Sequence, residues 1–547
     1  MRQYIGARYM PKFMGNYDPT QEYEALSVVD NGLGTSYICN KPTPAGTPLT
    51  NTNYWHIYGS TSGAIINLQN QIDAIHQGFE TPQMYGAVGD GITDDSQAFI
   101  NLLAGGNKNI IIPEGDYLIS EEISVYSNTN IFCNGTLRPT ITGDADNEIG
   151  ILNLYNVSNV SLNGIKIVGA GAVANFNAKR ANIYVNHCNG IIISNCSVED
   201  TPYQYAIQIN RSENVLVDNC YIENYTYGGI GASNGSKHVT IRKCSVIESV
   251  LDDPNIAPNS YPISVAGYDG STPIVINEDM IVDGCYIENS HAFWEGIDFH
   301  GGNHVKIINN TVKGCACGVA CAGTSTYTGS DILIANNDLE GAISTENPSA
   351  ASWAIALSYA ENIRVIGNTA HGFSKGTQGP STSAFIYIST CEDIIIADNE
   401  FYDCGNSSPY GIYGTPENII IKNNYFHDSS CIYMFRFYNS KYSVIQDNVI
   451  EKCCSYLVNL NGIDPTRTSY NKFSNNISDI NTYNTGTNGL NGSVPQFKST
   501  SSANPNSGHA GDIILNIAPS SGNPIGWICT SSADENNDAA WGALPNL

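Results

Sequence analysis

An all-β solenoid, one coil repeated along an axis, is the fold that this chain of 547 residues predicts. Three observations carry it. Only 14% of residues are charged, while 52 Gly, 33 Tyr and many β-branched runs favour strands and turns over helices. From about residue 150 a unit recurs, an apolar triplet, a polar turn with Asn or Cys, and a further apolar residue. Finally, Cys196 to Cys220 and Cys220 to Cys244 are each 24 residues, the length of one coil of short strands and turns. Each such coil buries its apolar face only by stacking on its neighbours.

Residues 1 to about 60 carry Pro11, Pro19, Pro42, Pro44 and Pro48 among many aromatics and lack the repeat, which predicts a small separate N-terminal module. Over 61–82, Ile65, Leu68, Ile72 and Ile75 fall three and four apart. That seam suits self-association through a short helical linker, or a lone amphipathic helix lying on its own domain. Then Tyr85-Gly86-Ala87-Val88-Gly89-Asp90-Gly91-Ile92-Thr93-Asp94-Asp95 leads through Ala98, Phe99, Leu102 and Leu103 to Ile110-Ile111-Ile112-Pro113-Glu114-Gly115-Asp116-Tyr117. At these residues the chain resembles the pectate-lyase-like superfamily, and the resemblance implies a right-handed parallel β-helix that opens here. Asp90, Asp94 and Asp95 are expected to cap turns and the first helix rather than to hold a metal.

The helix is expected over 83–485. Its repeat reads Ile191-Ile192-Ile193-Ser194-Asn195-Cys196, Val215-Leu216-Val217-Asp218-Asn219-Cys220 and so on to Val444-Ile445-Gln446-Asp447-Asn448. Cys196, Cys220, Cys244 and Cys285 form an inward ladder that passes into Asn310, Asn337, Asn368, Asn399, Asn424 and Asn448, whose amides bond from coil to coil. The 16 cysteines are read as thiols, and the spacing of Cys315, Cys317 and Cys321 fits no zinc pattern. Past 485 the repeat fades into Gly, Asn, Ser and Thr. A C-terminal β module is expected over 486–547, around Gly526-Trp527-Ile528-Cys529-Thr530 and Trp541. That module resembles small β modules that end phage tail proteins. Arg2-Gln3-Tyr4-Ile5-Gly6-Ala7-Arg8-Tyr9 and Tyr23-Glu24-Ala25-Leu26 resemble the leading segments of phage tail appendages. These resemblances imply a tailspike-like protein on the virion tail, a homotrimer joined to a tail or baseplate protein through its N-terminal module.

Lys and Arg number 24 against 51 Asp and Glu, a formal net charge of -27. Such a surface repels a phosphate backbone, so nucleic acid is excluded as a partner, and a highly anionic polymer is a poor substrate unless a local basic pocket intervenes. No run reaches the length of a membrane span, and the start, Met1-Arg2-Gln3-Tyr4-Ile5-Gly6, shows no signal peptide, so folding in a host cytoplasm is expected.

The chemistry is expected at Trp294-Glu295-Gly296-Ile297-Asp298-Phe299-His300-Gly301-Gly302. Alternation along a strand separates wall from core. Counted back from each triplet, Ile297 and Phe299 face inward while Asp298 and His300 face outward. The outward places in neighbouring coils are small: Gly231 and Ser233, Ser264 and Ala266, Ala320 and Ala322, Ala356 and Ser358. This describes a groove with a small-residue floor and an acid and an imidazole at its middle. Glycoside hydrolysis needs two carboxyls. Asp298 is the first, with His300 to hold or tune it. Glu295 is nearest for the second, although its parity is inward. The 41 residues from Cys244 to Cys285 insert a loop whose Asp252, Asp253 and Asp269 are alternatives. Trp294, Tyr261 and Tyr268 offer stacking faces for sugar. Arg211 and Arg436 are too isolated to place, and on this count the groove wall carries no Lys or Arg.

The predicted function is therefore hydrolysis of a bacterial surface polysaccharide, with no cofactor and no metal ligand set. Two alternatives stand beside it, a lyase acting by β-elimination on a uronate polymer and a spike that holds glycan without cleaving it. In the blandest reading, Asp298 and His300 are a solvated strand face.

Overall fold

The computed structural model describes residues 11–32, 35–60, 78–141, 149–169, 180–200, 205–225, 227–248, 261–265, 275–289, 295–341, 353–373, 385–404, 408–438, 440–461, 472–474, 476–478, 497–500, 513–516, 526–531 and 540–543. The chain divides into two units, Met1–Glu80 and Thr81–Leu547. In the first, strands Lys12–Asn16, Ser27–Asp30, Thr35–Cys39 and Trp55–Ser60 form a four-stranded sheet. Tyr23, Val29, Cys39 and Trp55 are its core, with the Tyr23 and Trp55 rings edge to face at 5.3 Å. The helical seam expected at Ile65 to Ile75 lies outside the described residues.

The second unit is the right-handed parallel β-helix. Each coil contributes three strands, as in Tyr205–Asn210, Glu213–Asp218 and Tyr221–Glu223, and each strand pairs in parallel with its counterpart one coil on. Inward Ile, Val, Leu and Phe side chains stack into one continuous core from Ala87 to Cys453. Helix Ser96–Leu103 closes its first end, burying Ala98, Phe99, Leu102 and Leu103. The opening carboxylates serve the backbone there. Asp90 Oδ1 accepts from Ile92 N and Thr93 N at 2.9 and 2.7 Å. Asp95 stands at the helix N-cap yet turns back to accept from Val88 N and Gly89 N at 2.7 and 3.1 Å, and Asp94 takes the Ser96 N–H at 3.0 Å.

The recurring turn between the second and third strands explains the motif. Asn195, Asn219, Asn309, Asn336, Asp398, Asn423 and Asp447 take positive φ near +55°, a conformation that short polar side chains tolerate, and Lys243 takes it at the same corner. That corner aims the next residue inward. Cys196, Cys220, Cys244 and Cys285 are buried there as free thiols. From Asn310 onward each ladder amide donates to the next, Asn310 to Asn337, Asn337 to Asn368 and Asn368 to Asn399, each at 2.9 Å. Strands Phe497–Thr500, Ile513–Asn516, Gly526–Ser531 and Ala540–Ala543 form a separate four-stranded sheet near the end of the chain.

Candidate active site

The first strand of each coil does not alternate strictly, and this changes the site. Two consecutive residues face the core: Ala206 and Ile207, Gly229 and Ile230, Pro262 and Ile263, Gly296 and Ile297, Gly318 and Val319, Ala354 and Ile355. The register passes from Glu295 with Cys317 to Ile297 with Val319, and from Cys317 with Trp353 to Val319 with Ile355, omitting the first residue of each pair. A Cβ on Gly296 would lie 2.4 Å from Val312 Cγ1 and 3.1 Å from Cys315 Sγ, both in the core, so this glycine occupies the extra inward place. The residue before the pair is thereby turned outward. Cys317 accordingly packs with Ala320 and Ala356 against Trp353 and Tyr387, apart from the main core.

Glu295 stands in the same column as Cys317, so its inward parity is corrected: it shares the outer wall with Asp298. Asp298 is 1% exposed. Its Oδ1 lies 2.9 Å from His300 Nε2, a charge contact without hydrogen-bond alignment, and its Oδ2 accepts from Ser264 Oγ at 3.3 Å. Glu295 Oε2 is buried with no hydrogen-bond partner. Burial first, and then the charge of Asp298, holds the Glu295 carboxyl well above the usual range, which favours its protonated form. Asp298 also raises the pKa of His300, here by favouring the charged imidazolium. The His300 side chain is 34% exposed and Glu295 is partly exposed, so these two, and not Asp298, reach solvent.

Aromatic side chains flank the acids. On one side Tyr205, Tyr227 and Tyr261 meet edge to face at 5.5 and 5.1 Å. Burial and the charge of Asp298 raise the pKa of Tyr227 and Tyr261, so both phenols keep their protons. On the other side the floor of Ala320, Ala322 and Ala356 leads to Trp353, stacked on Tyr387 at 4.9 Å and 14°. Further along, Tyr387 stacks on Tyr413 at 5.9 Å, and Tyr413 on Tyr410 at 4.6 Å. The wall also carries a cation, contrary to the expectation that it has none. Arg436 pairs in register with Tyr413, which pairs with Tyr387.

Of the residues singled out in the sequence, Glu295, Asp298, His300 and Tyr261 are brought together. Asp252, Asp253, Tyr268, Asp269 and Trp294 lie outside the described residues. Tyr205, Tyr227, Trp353, Tyr387, Tyr410, Tyr413 and Arg436 are not among the site residues expected from the sequence, although alternation turns Tyr387 outward. A signal for several of them was present: Ile297-Asp298-Phe299, Ile386-Tyr387-Ile388 and Phe435-Arg436-Phe437 are the same apolar, outward, apolar triad. Elsewhere Glu278, Asp279 and His304 bring ligand atoms within 4.8 Å of one another, but Glu278 is paired with Lys237 at 2.7 Å and Asp279 with His238 at 2.9 Å. A cleft of about 830 Å³ runs along the adjoining wall past Lys306, Leu333, Arg364, Ile395 and Ile420, away from the paired carboxyls.

The family model described as Rhamnogalacturonase A/epimerase, pectate lyase-like, matches residues 83–355, and that described as right handed beta helix region matches 353–508. A pre-neck appendage protein of Bacillus phage B103 is 30% identical over 176 residues, covering 27% of this chain and 20% of that protein. The chain thus spans about a fifth of the length of this curated relative. The N-terminal fragment of bacteriophage Phi29 gene product 12 superposes with a TM-score of 0.54 at 16% identity, over 77% of this chain and 74% of that one. The adhesin PfbA of Streptococcus pneumoniae gives 0.46 at 17% identity, over 74% of this chain and 99% of that one. These superpositions concern the fold.

Proposed function

The chain is a tailspike-like protein of the pectate-lyase-like right-handed β-helix superfamily, and on that premise we propose that it hydrolyses glycosidic bonds of a bacterial surface polysaccharide along the Glu295 wall. One observation carries the reading: the extra inward residue at Gly296 turns Glu295 onto the wall that carries Asp298, where burial and the neighbouring Asp298 hold its carboxyl well above the usual range. Glu295, held neutral with an unpartnered oxygen, is the general acid that protonates the leaving oxygen. Asp298, held by His300 and Ser264, is the carboxylate that attacks the anomeric carbon or activates water. Tyr205, Tyr261 and Trp353 supply faces for the apolar sides of sugar rings. The family description and the appendage relative support a glycan target and a place on a virion. In this reading residues 1–60 join the chain to a tail or baseplate, and three copies assemble.

A second reading, a spike that holds glycan without turnover, is favoured by the near-complete burial of Asp298. β-Elimination has less support, because the two tyrosines beside the acids are held protonated and the wall's arginine is five coils away.

The test is product formation from surface polysaccharides of candidate hosts, following reducing ends and the ultraviolet absorbance of unsaturated uronate together. Reducing ends without absorbance, reduced by 100-fold or more (on the order of the effect of losing a general acid) in Glu295→Gln and Asp298→Asn, are expected. Absorbance would mean a lyase. No product from a glycan that binds would leave the noncatalytic spike.

A further inference from the structure

Arg436 stands in the same outward column as Asp298. The register runs from Asp298 through Ala320, Ala356, Tyr387 and Tyr413 to Arg436, five coils in all. At ~4.8 Å per coil this is about 24 Å along the wall, the reach of a few sugar units. The path between them is first a floor of alanine and then stacked aromatic rings.

The guanidinium is set among tyrosines, 4.5 Å from the centre of the Tyr410 ring, 5.0 Å from Tyr438 and 5.6 Å from Tyr433. Its Nη1 donates to the Tyr410 hydroxyl, while its Nε is buried and unpartnered. Among the described residues no carboxylate pairs with it. On the wall that also carries Glu295 and Asp298, Arg436 thus keeps its charge among aromatic rings rather than against a carboxylate. Aromatic faces offset part of the cost of a poorly solvated cation, and with Nε buried and one Nη1 proton on Tyr410 they leave the Nη1–Nη2 end of the guanidinium to an anion. A carboxylate satisfies that fork in a way that a neutral hydroxyl does not.

We infer that Arg436 forms a distal subsite for an acidic sugar, so that the substrate is a heteropolysaccharide with a carboxylate at intervals and neutral sugars over Glu295 and Asp298. The inference rests on the reading of this wall as a glycan groove. It also reconciles a local cation with a net charge of -27, since a sugar chain charged at every unit would meet the surrounding negative field.

The experiment measures binding to the full-length Asp298→Asn protein, so that no glycan is consumed. The probes are uronate-containing bacterial capsular polysaccharides and the same preparations after reduction of their carboxyls to hydroxymethyl groups. For at least one acidic glycan, reduction is expected to weaken binding by roughly ten- to a hundredfold, the scale of one charge-assisted contact. Adding Arg436→Gln should cause a similar loss for the acidic form and leave the reduced form unchanged, with Arg436→Lys in between. Equal loss for both forms would make Arg436 a structural clamp and overturn the inference. So would equal binding of acidic and reduced glycans, or the absence of binding to every acidic one. Because binding is read without turnover, the subsite stands or falls separately from hydrolysis, which the product assay on the unaltered protein decides.

Discussion

Gly296 determines whether Glu295 meets Asp298. With a side chain in the extra inward place, the strand must either crowd Val312 and Cys315 or return to simple alternation, which swings Glu295 off the wall. Gly296→Ala is therefore expected to cost about 1–3 kcal/mol of stability by overpacking and to lower turnover more than glycan binding. Denaturant unfolding, with activity and binding assayed on the folded fraction, checks it; unchanged turnover would mean the step does not position the acid. Glu295 and His300 also fix a pH dependence. Both hold protons more tightly when folded, Glu295 through burial and the charge of Asp298, His300 chiefly through Asp298. The stability each confers is complete below its unfolded value, about 4.3 for Glu and 6.5 for His, and is lost as pH rises through the raised folded value. The melting temperature should thus fall between about pH 6.5 and the folded value for His300, and fall less steeply in His300→Gln, which cannot titrate. Identical slopes for the two proteins would rule out this linkage.

At the scale of the coil, the ladder residues convert a polar sequence into a stable interior. Asn368 donates to Ile334 O and to Asn399 Oδ1, and its Oδ1 accepts from both the backbone and the side-chain nitrogen of Asn337. Asn368→Ala strands several buried groups at once and is expected to cost about 2–4 kcal/mol, whereas an exposed turn residue such as Asn336, replaced by Gly at its positive φ, should cost little. Comparing their denaturation midpoints tests whether the inward amides, rather than the corner conformation, hold the coils. This element was legible in the sequence because its constraint repeats: one positive-φ corner and one inward Cys or Asn every coil. The wall was only half legible. Asp298 and His300 follow from alternation, but Glu295 does not, because the paired inward residues shift the parity upstream of Ile297. Nothing local in Pro262-Ile263 or Gly296-Ile297 announces that step; it follows from the width of the coil and from packing against Val312 on the facing strand. Arg436 escaped for the related reason that a column is visible only once the register across five coils is known.

At the scale of the whole molecule, the surplus of 27 negative charges acts on any polymer before it reaches the groove. Long-range repulsion slows the approach of an anionic chain and fades as salt shortens the Debye length, about 10 Å at 0.1 M. A contact with Arg436 depends on salt in the opposite direction, but it involves one cation on a partly buried wall and is screened less. For a glycan charged at every sugar, the association rate should therefore increase as salt is raised from about 0.02 M to about 0.15 M, the reverse of the behaviour of a nucleic-acid-binding surface. For a neutral glycan it should stay flat. For one with a sparse acid, the rate should rise slightly while dissociation quickens, because the field governs encounter and Arg436 governs residence. Surface-capture kinetics at several salt concentrations separate these rates. An association rate that falls with salt for the densely charged glycan would show that a local basic patch, and not the net field, governs encounter, and that the field does not select a sparsely acidic substrate.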